Sequence, residues 1–201
     1  MTTPVPDSQI IKAVRLLKQG SLIAFPTETY YGLGVDPFNN EALQRLFKVK
    51  QRGADKAVLV LVADQSQVEL LADSIPVHFN KLMDVFWPGP LTLVFPARSN
   101  VPELLTGGTG TVGVRKSPNS TAMQLLQKFA GPITATSANR SGANPATTAA
   151  EVEDIFGAEV DFIVDGGATP GGQGSTLVGF DQEIFCIRDG KIPFETIQNS
   201  L

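Results

Sequence analysis

Ser21-Leu22-Ile23-Ala24-Phe25-Pro26-Thr27-Glu28-Thr29 is the stretch on which the fold turns. Residues 21–25 are short and almost wholly apolar, the pattern of a strand buried on both faces. Pro26 cannot continue regular pairing, so Thr27, Glu28 and Thr29 are delivered at the strand's exit. Open α/β sheets gather ligands at such exits. The same device recurs at residues 133–136, a strand candidate that runs into Ser137-Ala138-Asn139.

Working outward, Asp7-Ser8 caps a helix with Ile10, Ile11, Val14 and Leu17 at helical spacing, and Gly20 stands where a helix ends. Asn39/Asn40 starts a second helix that carries Leu43, Leu46 and Phe47 and closes at Lys48-Val49-Lys50-Gln51-Arg52-Gly53. Further helices are predicted at 66–71, 76–86, 120–129 and 148–156, and strands at 57–62, 91–95, 111–115, 160–164, 175–178 and 184–188. Trp87-Pro88-Gly89-Pro90 turns the chain. The last two strands are too close for a helical crossover. The predicted class is therefore α/β: a twisted mixed sheet flanked by helices, one domain over residues 1–201.

Composition narrows the function. Hydrophobic residues make up 42% and charged residues 18% of the 201, enough apolar material for a sizeable core. The net charge of −4 opposes a dedicated nucleic-acid binder, so any nucleotide site has to be locally basic. One cysteine, Cys186, and one histidine, His78, exclude an internal disulfide and a Cys/His metal cluster. Met1 to Asp7 lacks a basic segment followed by an apolar run, and no apolar stretch reaches membrane-spanning length; a cytoplasmic protein without a membrane partner is expected.

Familiar nucleotide signatures fail. Gly32-Leu33-Gly34-Val35-Asp36-Pro37 has proline at the third glycine position of the dinucleotide fingerprint, and Gly171-Gly172-Gln173-Gly174-Ser175-Thr176 has no lysine before its hydroxyls. His78 lies in a helical run, far from any Gly-x-Ser-x-Gly turn, and reads as structural.

What remains is a set of polar clusters, each with a plain alternative. Thr27 to Tyr30 fits a ligand-facing exit or a turn bonded to its own backbone. Lys50, Arg52 and Lys56, with Asp55 as the one matching acid, suit a triphosphate or a solvated basic loop. Residues 136–142 set hydroxyls, an amide and a cation among small side chains, as a ligand wall or a capped turn does. Arg115 and Arg188 close apolar strands and fit a carboxylate or phosphate, or a surface ion pair. The five glycines of 166–174 serve a flexible connection or a lid.

In order, Phe25-Pro26-Thr27-Glu28-Thr29-Tyr30-Tyr31-Gly32-Leu33-Gly34, Lys50-Gln51-Arg52, Trp87-Pro88-Gly89-Pro90, Val112-Gly113-Val114-Arg115, Ser137-Ala138-Asn139 and Gly174-Ser175-Thr176 resemble the YrdC-like threonylcarbamoyl-adenylate synthase family over nearly the whole chain. The resemblance implies a basic central cavity and an enzyme, a nucleotidyltransferase, that joins L-threonine, bicarbonate or CO2, and ATP into threonylcarbamoyl-AMP and pyrophosphate. Partner proteins would then transfer the group to adenosine 37 of tRNA, with direct tRNA contact at most weak.

Carried over by residue, the resemblance implies threonine contacts at Thr29, Arg115, Ser137 and Ser175. It implies ATP contacts at Lys50, Arg52, Lys56, Thr111, Asn139, Thr147 and Arg188. Lys50, Arg52, Ser137 and Asn139 are expected nearest the reacting phosphorus. No protein-held metal and no organic cofactor are expected; Mg2+ is expected to arrive with ATP. The chain ends soon after Arg188-Asp189-Gly190, which implies a short form without the C-terminal domain of longer members; where some members carry histidine, this chain has Leu61. Two rivals stand beside this reading: a YciO-type paralogue of different activity, and a non-catalytic module binding double-stranded RNA by shape.

Overall fold

The computed structural model describes residues 5–201, so the first four residues of the polar amino terminus lie outside the described residues. In chain order the elements are α1 (Asp7–Lys18), β1 (Ile23–Pro26), β2 (Tyr31–Gly34), α2 (Asn40–Lys50), β3 (Val60–Leu61), α3 (Gln65–Glu69), α4 (Val77–Phe86), β4 (Leu91–Pro96) and α5 (Glu103–Thr106). They continue with β5 (Thr111–Arg115), α6 (Ser120–Phe129), β6 (Ile133–Thr134), β7 (Thr136–Ser137), α7 (Ala149–Phe156), β8 (Phe162–Ile163), β9 (Thr176–Asp181), β10 (Glu183–Arg188) and α8 (Phe194–Gln198).

The mixed α/β class with flanking helices holds, and the strands divide over two mixed sheets. One runs β7-β2-β1-β8 and the other β10-β9-β4-β5-β3-β6. All of β1 is buried; it pairs antiparallel with β2 and parallel with β8. The single strand expected at 133–136 splits at Ala135: β6 joins β3 in the larger sheet and β7 joins β2 in the smaller. The strand expected over 57–62 shrinks to the two residues of β3.

Strand β2 escapes the sequence pattern because glycines occupy two of its four positions. A side chain at Gly34 would come within 2.6 Å of the Phe25 ring and 3.1 Å of the Thr134 carbonyl oxygen, so glycine lets three strands close up there. The short helices α5 and α8 lack the repeated apolar spacing of the longer ones. Helix α1 begins one residue earlier than its polar cap suggests: Pro6 takes the cap position and Asp7 enters the first turn.

Two apolar clusters hold the layers. In the larger, Leu91, Leu93, Phe95, Val112 and Val114 point from one face of the six-stranded sheet toward Phe79 and Leu82 of α4. Phe79 and Phe95 meet edge to face with ring centres 5.0 Å apart. The second cluster packs Ile10 and Leu17 of α1 and Leu125 of α6 against Phe25 and Ile133. Each fully buried side chain of this size contributes about 1.5–3 kcal/mol, so these clusters fix the sheets firmly. Among the described residues no helix is long and apolar enough to cross a membrane.

Candidate active site

With one face of the six-stranded sheet committed to the core, strand alternation sends the intervening residues the other way. Thr92 and Val94 of β4, Thr111, Gly113 and Arg115 of β5, and Ser175 and Leu177 at the start of β9 share that second face. They line a cavity of about 590 Å³, closed from the smaller sheet by Thr29, Gly32 and Ser137. The volume is that of a small-molecule site.

The turn between β1 and β2 is held by its own hydroxyls. Thr27 Oγ1 donates to the Tyr30 carbonyl at 2.7 Å and accepts the Thr29 backbone N–H at 3.3 Å. This local bonding is the turn that residue types alone allowed, and it leaves Thr29 on the cavity wall. Glu28, between them, turns back to the end of β5. One carboxylate oxygen pairs with Arg115 Nη1 and the other accepts from Ser117 Oγ at 2.5 Å. Arg115 is 3% exposed; Glu28 is its ion-pair partner, and neither Nε nor Nη1 makes a hydrogen bond of good geometry among the described residues. Burial, with a smaller effect from nearby Arg188, lowers the guanidinium to about 10, so it stays a cation at neutral pH.

Helix α2 sets the other cations. Asn39 caps its start, accepting from the Ala42 N–H at 3.0 Å. At its end Gln51 adopts a left-handed φ of 52°, and the N–H groups of Gln51 and Arg52 bond the carbonyls of Lys48 and Phe47. This reversal points Lys50 and Arg52 in different directions. Arg52 lines the cavity, its Nε donating to the Lys56 carbonyl at 3.0 Å and its Nη2 to that of Ala57 at 2.6 Å.

Lys50 does not line the cavity. Its Nζ donates to the backbone carbonyls of Ser137 and Asn139 and, at 3.3 Å, to Asn139 Oδ1. Burial, reinforced by the charge of Arg52, pulls Lys50 down to about 7. Asn139 Oδ1 also accepts from Ser137 Oγ at 2.7 Å, so Lys50, Asn139 and Ser137 form one connected brace.

Of the residues expected at threonine, all four (Thr29, Arg115, Ser137 and Ser175) line the one cavity. Of those expected at ATP, Arg52, Thr111 and Arg188 line it, while Lys50 and Asn139 back the Ser137 wall. Lys56 is exposed and contributes a carbonyl to Arg52. Thr147 sits instead in a separate depression of about 300 Å³ with Glu151 and Asp154, bonded to the Glu151 carboxylate. His78 is exposed, its ring 5.4 Å from that of Phe180, and is not among the residues lining the cavity.

Residue patterns missed Thr92, whose Oγ1 shares a 2.7 Å hydrogen bond with Ser175 Oγ, and the Glu28–Ser117 support of Arg115. A threonine at an alternating position of an apolar strand was a signal for the first. An acid directly beside a buried strand, which needs a cation partner, was a signal for the second. The lining combines three guanidinium groups, Arg52, Arg115 and Arg188, with hydroxyls of Thr29, Thr92, Thr111, Ser137 and Ser175, a donor set that suits an anionic ligand.

Comparison with known proteins adds four findings. A model of the Sua5_yciO_yrdC family, described as telomere recombination, matches residues 15–190. Threonylcarbamoyl-AMP synthase of Pyrococcus abyssi is 40% identical over 195 residues, 96% of this chain and 57% of that protein. The Coxiella burnetii protein of the same name is 38% identical over 79% of this chain and 85% of its own length. Among solved structures, that of P. abyssi Sua5 complexed with L-threonine superposes with a TM-score of 0.95 at 38% identity, covering 99% of this chain and 59% of that one. The chain thus spans less than two thirds of the P. abyssi relatives.

Proposed function

The chain belongs to the Sua5_yciO_yrdC family, and from that premise we propose that it is a threonylcarbamoyl-AMP synthase, forming that adenylate from L-threonine, CO2 or bicarbonate, and ATP. What supports this most is one cavity lined at once by Thr29, Arg115, Ser137 and Ser175 and by Arg52 and Arg188. The first group suits an amino acid and the second a polyphosphate.

In this reading the unprotonated amine of threonine adds to CO2, giving a carbamate and releasing a proton. A carbamate oxygen then attacks the α-phosphorus of ATP. The new P–O bond forms as the bond to the β-phosphate breaks, and pyrophosphate leaves. No covalent enzyme intermediate is needed. The protein aligns the two reactants, and Arg52 and Arg188 offset the charge that develops on the phosphates, effects worth several kcal/mol each. In this reading magnesium arrives with ATP, as part of that substrate. The product would serve proteins that pass the threonylcarbamoyl group to tRNA, consistent with a chain that carries net charge −4.

The test is incubation of the purified protein with Mg-ATP, bicarbonate and labelled L-threonine, followed by chromatography. A labelled adenylate formed together with pyrophosphate is expected. Pyrophosphate release that ignores threonine would sink the reading.

A further inference from the structure

Thr92 and Ser175 both line the cavity while being only 1% and 4% exposed. Strand β4 lies between β5 and β9 in the larger sheet, and Thr92 reaches toward both neighbours. Its methyl group faces Gly113 of β5, where an added Cβ would stand 3.3 Å from it. Its hydroxyl meets Ser175 Oγ at 2.7 Å. The strands on either side thus set the Thr92 rotamer. With Leu93 opposite Val114, Thr92 and Arg115 are neighbours across β4 and β5 on the cavity face.

Each hydroxyl carries one hydrogen, so the pair holds two, and only one of them lies in the bond between the oxygens. Among the described residues neither hydroxyl makes a second hydrogen bond. Whichever oxygen donates, one hydrogen is left without a protein acceptor. In a buried wall such a donor costs about 1–3 kcal/mol until something that enters the cavity accepts it.

The backbone under Ser175 is fixed. Its carbonyl accepts from Arg188 Nη2 at 2.9 Å, and the next N–H, of Thr176, donates to the Pro90 carbonyl at 3.0 Å. Gly190 packs so closely that a side chain there would come within 2.3 Å of the Ser175 carbonyl carbon. What is left to settle is the direction of the Ser175 hydroxyl, and Thr92 is the side chain bonded to it.

We propose that Thr92 is a positioning residue for amino-acid recognition: it directs the Ser175 hydroxyl, so that the pair presents one hydrogen to an oxygen of the substrate beside Arg115. This deepens the synthase reading and rests on it. L-Threonine has two kinds of oxygen that accept, the carboxylate and the side-chain hydroxyl, and the pair serves either by the same chemistry.

The experiment measures L-threonine binding by titration calorimetry on wild-type protein, Thr92→Val, Ser175→Ala and the double variant. Valine keeps the branched shape and removes the hydroxyl; Thr92→Ser, which keeps the hydroxyl and removes the methyl, is the rescue variant. Thr92→Val is expected to weaken binding about tenfold, and Thr92→Ser to recover it to within about threefold of wild type. In the Ser175→Ala background Thr92→Val adds less than about twofold, because the two residues act through one hydrogen. In turnover, KM for threonine rises with the loss of binding while KM for ATP stays within about twofold. L-2-Aminobutyrate, which lacks the side-chain hydroxyl, identifies the acceptor: equal losses for both amino acids in Thr92→Val assign the carboxylate, and a loss confined to L-threonine assigns the hydroxyl. Losses that multiply in the double variant, both KM values rising together, no recovery in Thr92→Ser, or a Thr92→Val protein that binds as wild type each overturn the proposal. If wild-type protein binds no L-threonine, the synthase reading itself has failed, an outcome separate from a wild type that binds it and a variant that binds it equally well.

Discussion

Lys50 and Arg115 are both almost sealed from solvent, at 1% and 3% exposure, yet they answer the cost of a buried charge in opposite ways. Arg115 has a carboxylate against it and lines the cavity. Lys50 has no carboxylate partner among the described residues; carbonyl and amide oxygens take its donors, and its pKa falls to about 7. The first arrangement leaves capacity for a ligand. The second completes a joint between the end of α2 and the Ser137–Asn139 wall. A cation's place in a site thus follows from what its donors already do, more than from its closeness to a motif.

The strongest way to break this contrast is Arg115→Met. It strands Glu28 as an uncompensated buried charge, a loss of about 3–5 kcal/mol in urea unfolding. A loss below about 1 kcal/mol would mean that the pair is not a structural unit. Arg52→Ala comes next. Under the proposed function it lowers kcat/KM for ATP about 100-fold, about 2.7 kcal/mol of transition-state stabilisation, while folding stability moves by about 1 kcal/mol or 2–4 °C. Equal losses in both would place Arg52 with the joint instead of the cavity. Lys50→Met, a side chain of similar length, removes donors from buried acceptors at about 1–3 kcal/mol per group left unpaired. About 2 kcal/mol is expected, because the Ser137 carbonyl retains the Asn139 N–H. A cost equal to that of Arg115→Met would erase the distinction drawn above.

The contrast also shows what residue patterns convey. The strand exits at residue 26 and residue 137 were legible, because an apolar run broken by proline or by a Ser/Asn cluster has few other ways to fold. They delivered Thr29 and Ser137 to one cavity, and strand closure delivered Arg115. Lys50-Gln51-Arg52 was legible as a basic end of a helix, but the divergence of its two cations depends on Gln51 taking a left-handed conformation, which its residue type does not signal. Thr147 and Lys56, expected at ATP from the resemblance, are not among the residues lining the cavity, and the way a loop side chain turns is not signalled by its residue type. The partition of residues 133–137 between two sheets is likewise set by pairing partners distant in sequence.

The finest test of the contrast is a pH profile. Lysine loses its proton near 10.5 in the unfolded chain, whereas burial brings Lys50 to about 7 in the folded one. Between those values the unfolded state binds the extra proton, so stability rises with pH, by at most about 1.4 kcal/mol per pH unit for this one group. The contribution is full above the unfolded value, declines as pH falls through this window, and becomes flat below about 7, where both states are protonated. Tyr31 opposes it only at the alkaline end: burial raises its hydroxyl from 10.0 to about 12, which removes stability above pH 10. Unfolding free energies of wild type and Lys50→Met should therefore be compared between pH 7 and 9.5. The wild type is expected to gain stability across that range relative to the variant, and the difference should not change further below pH 6. Arg115, lowered to about 10, stays mostly charged below about pH 9 and adds a slope of the same sign only at the alkaline end, where it is common to both proteins. Parallel profiles for the two proteins would show that Lys50 keeps its proton in the fold, and the opposition between a saturated lysine and a carboxylate-paired arginine would then be one of position alone.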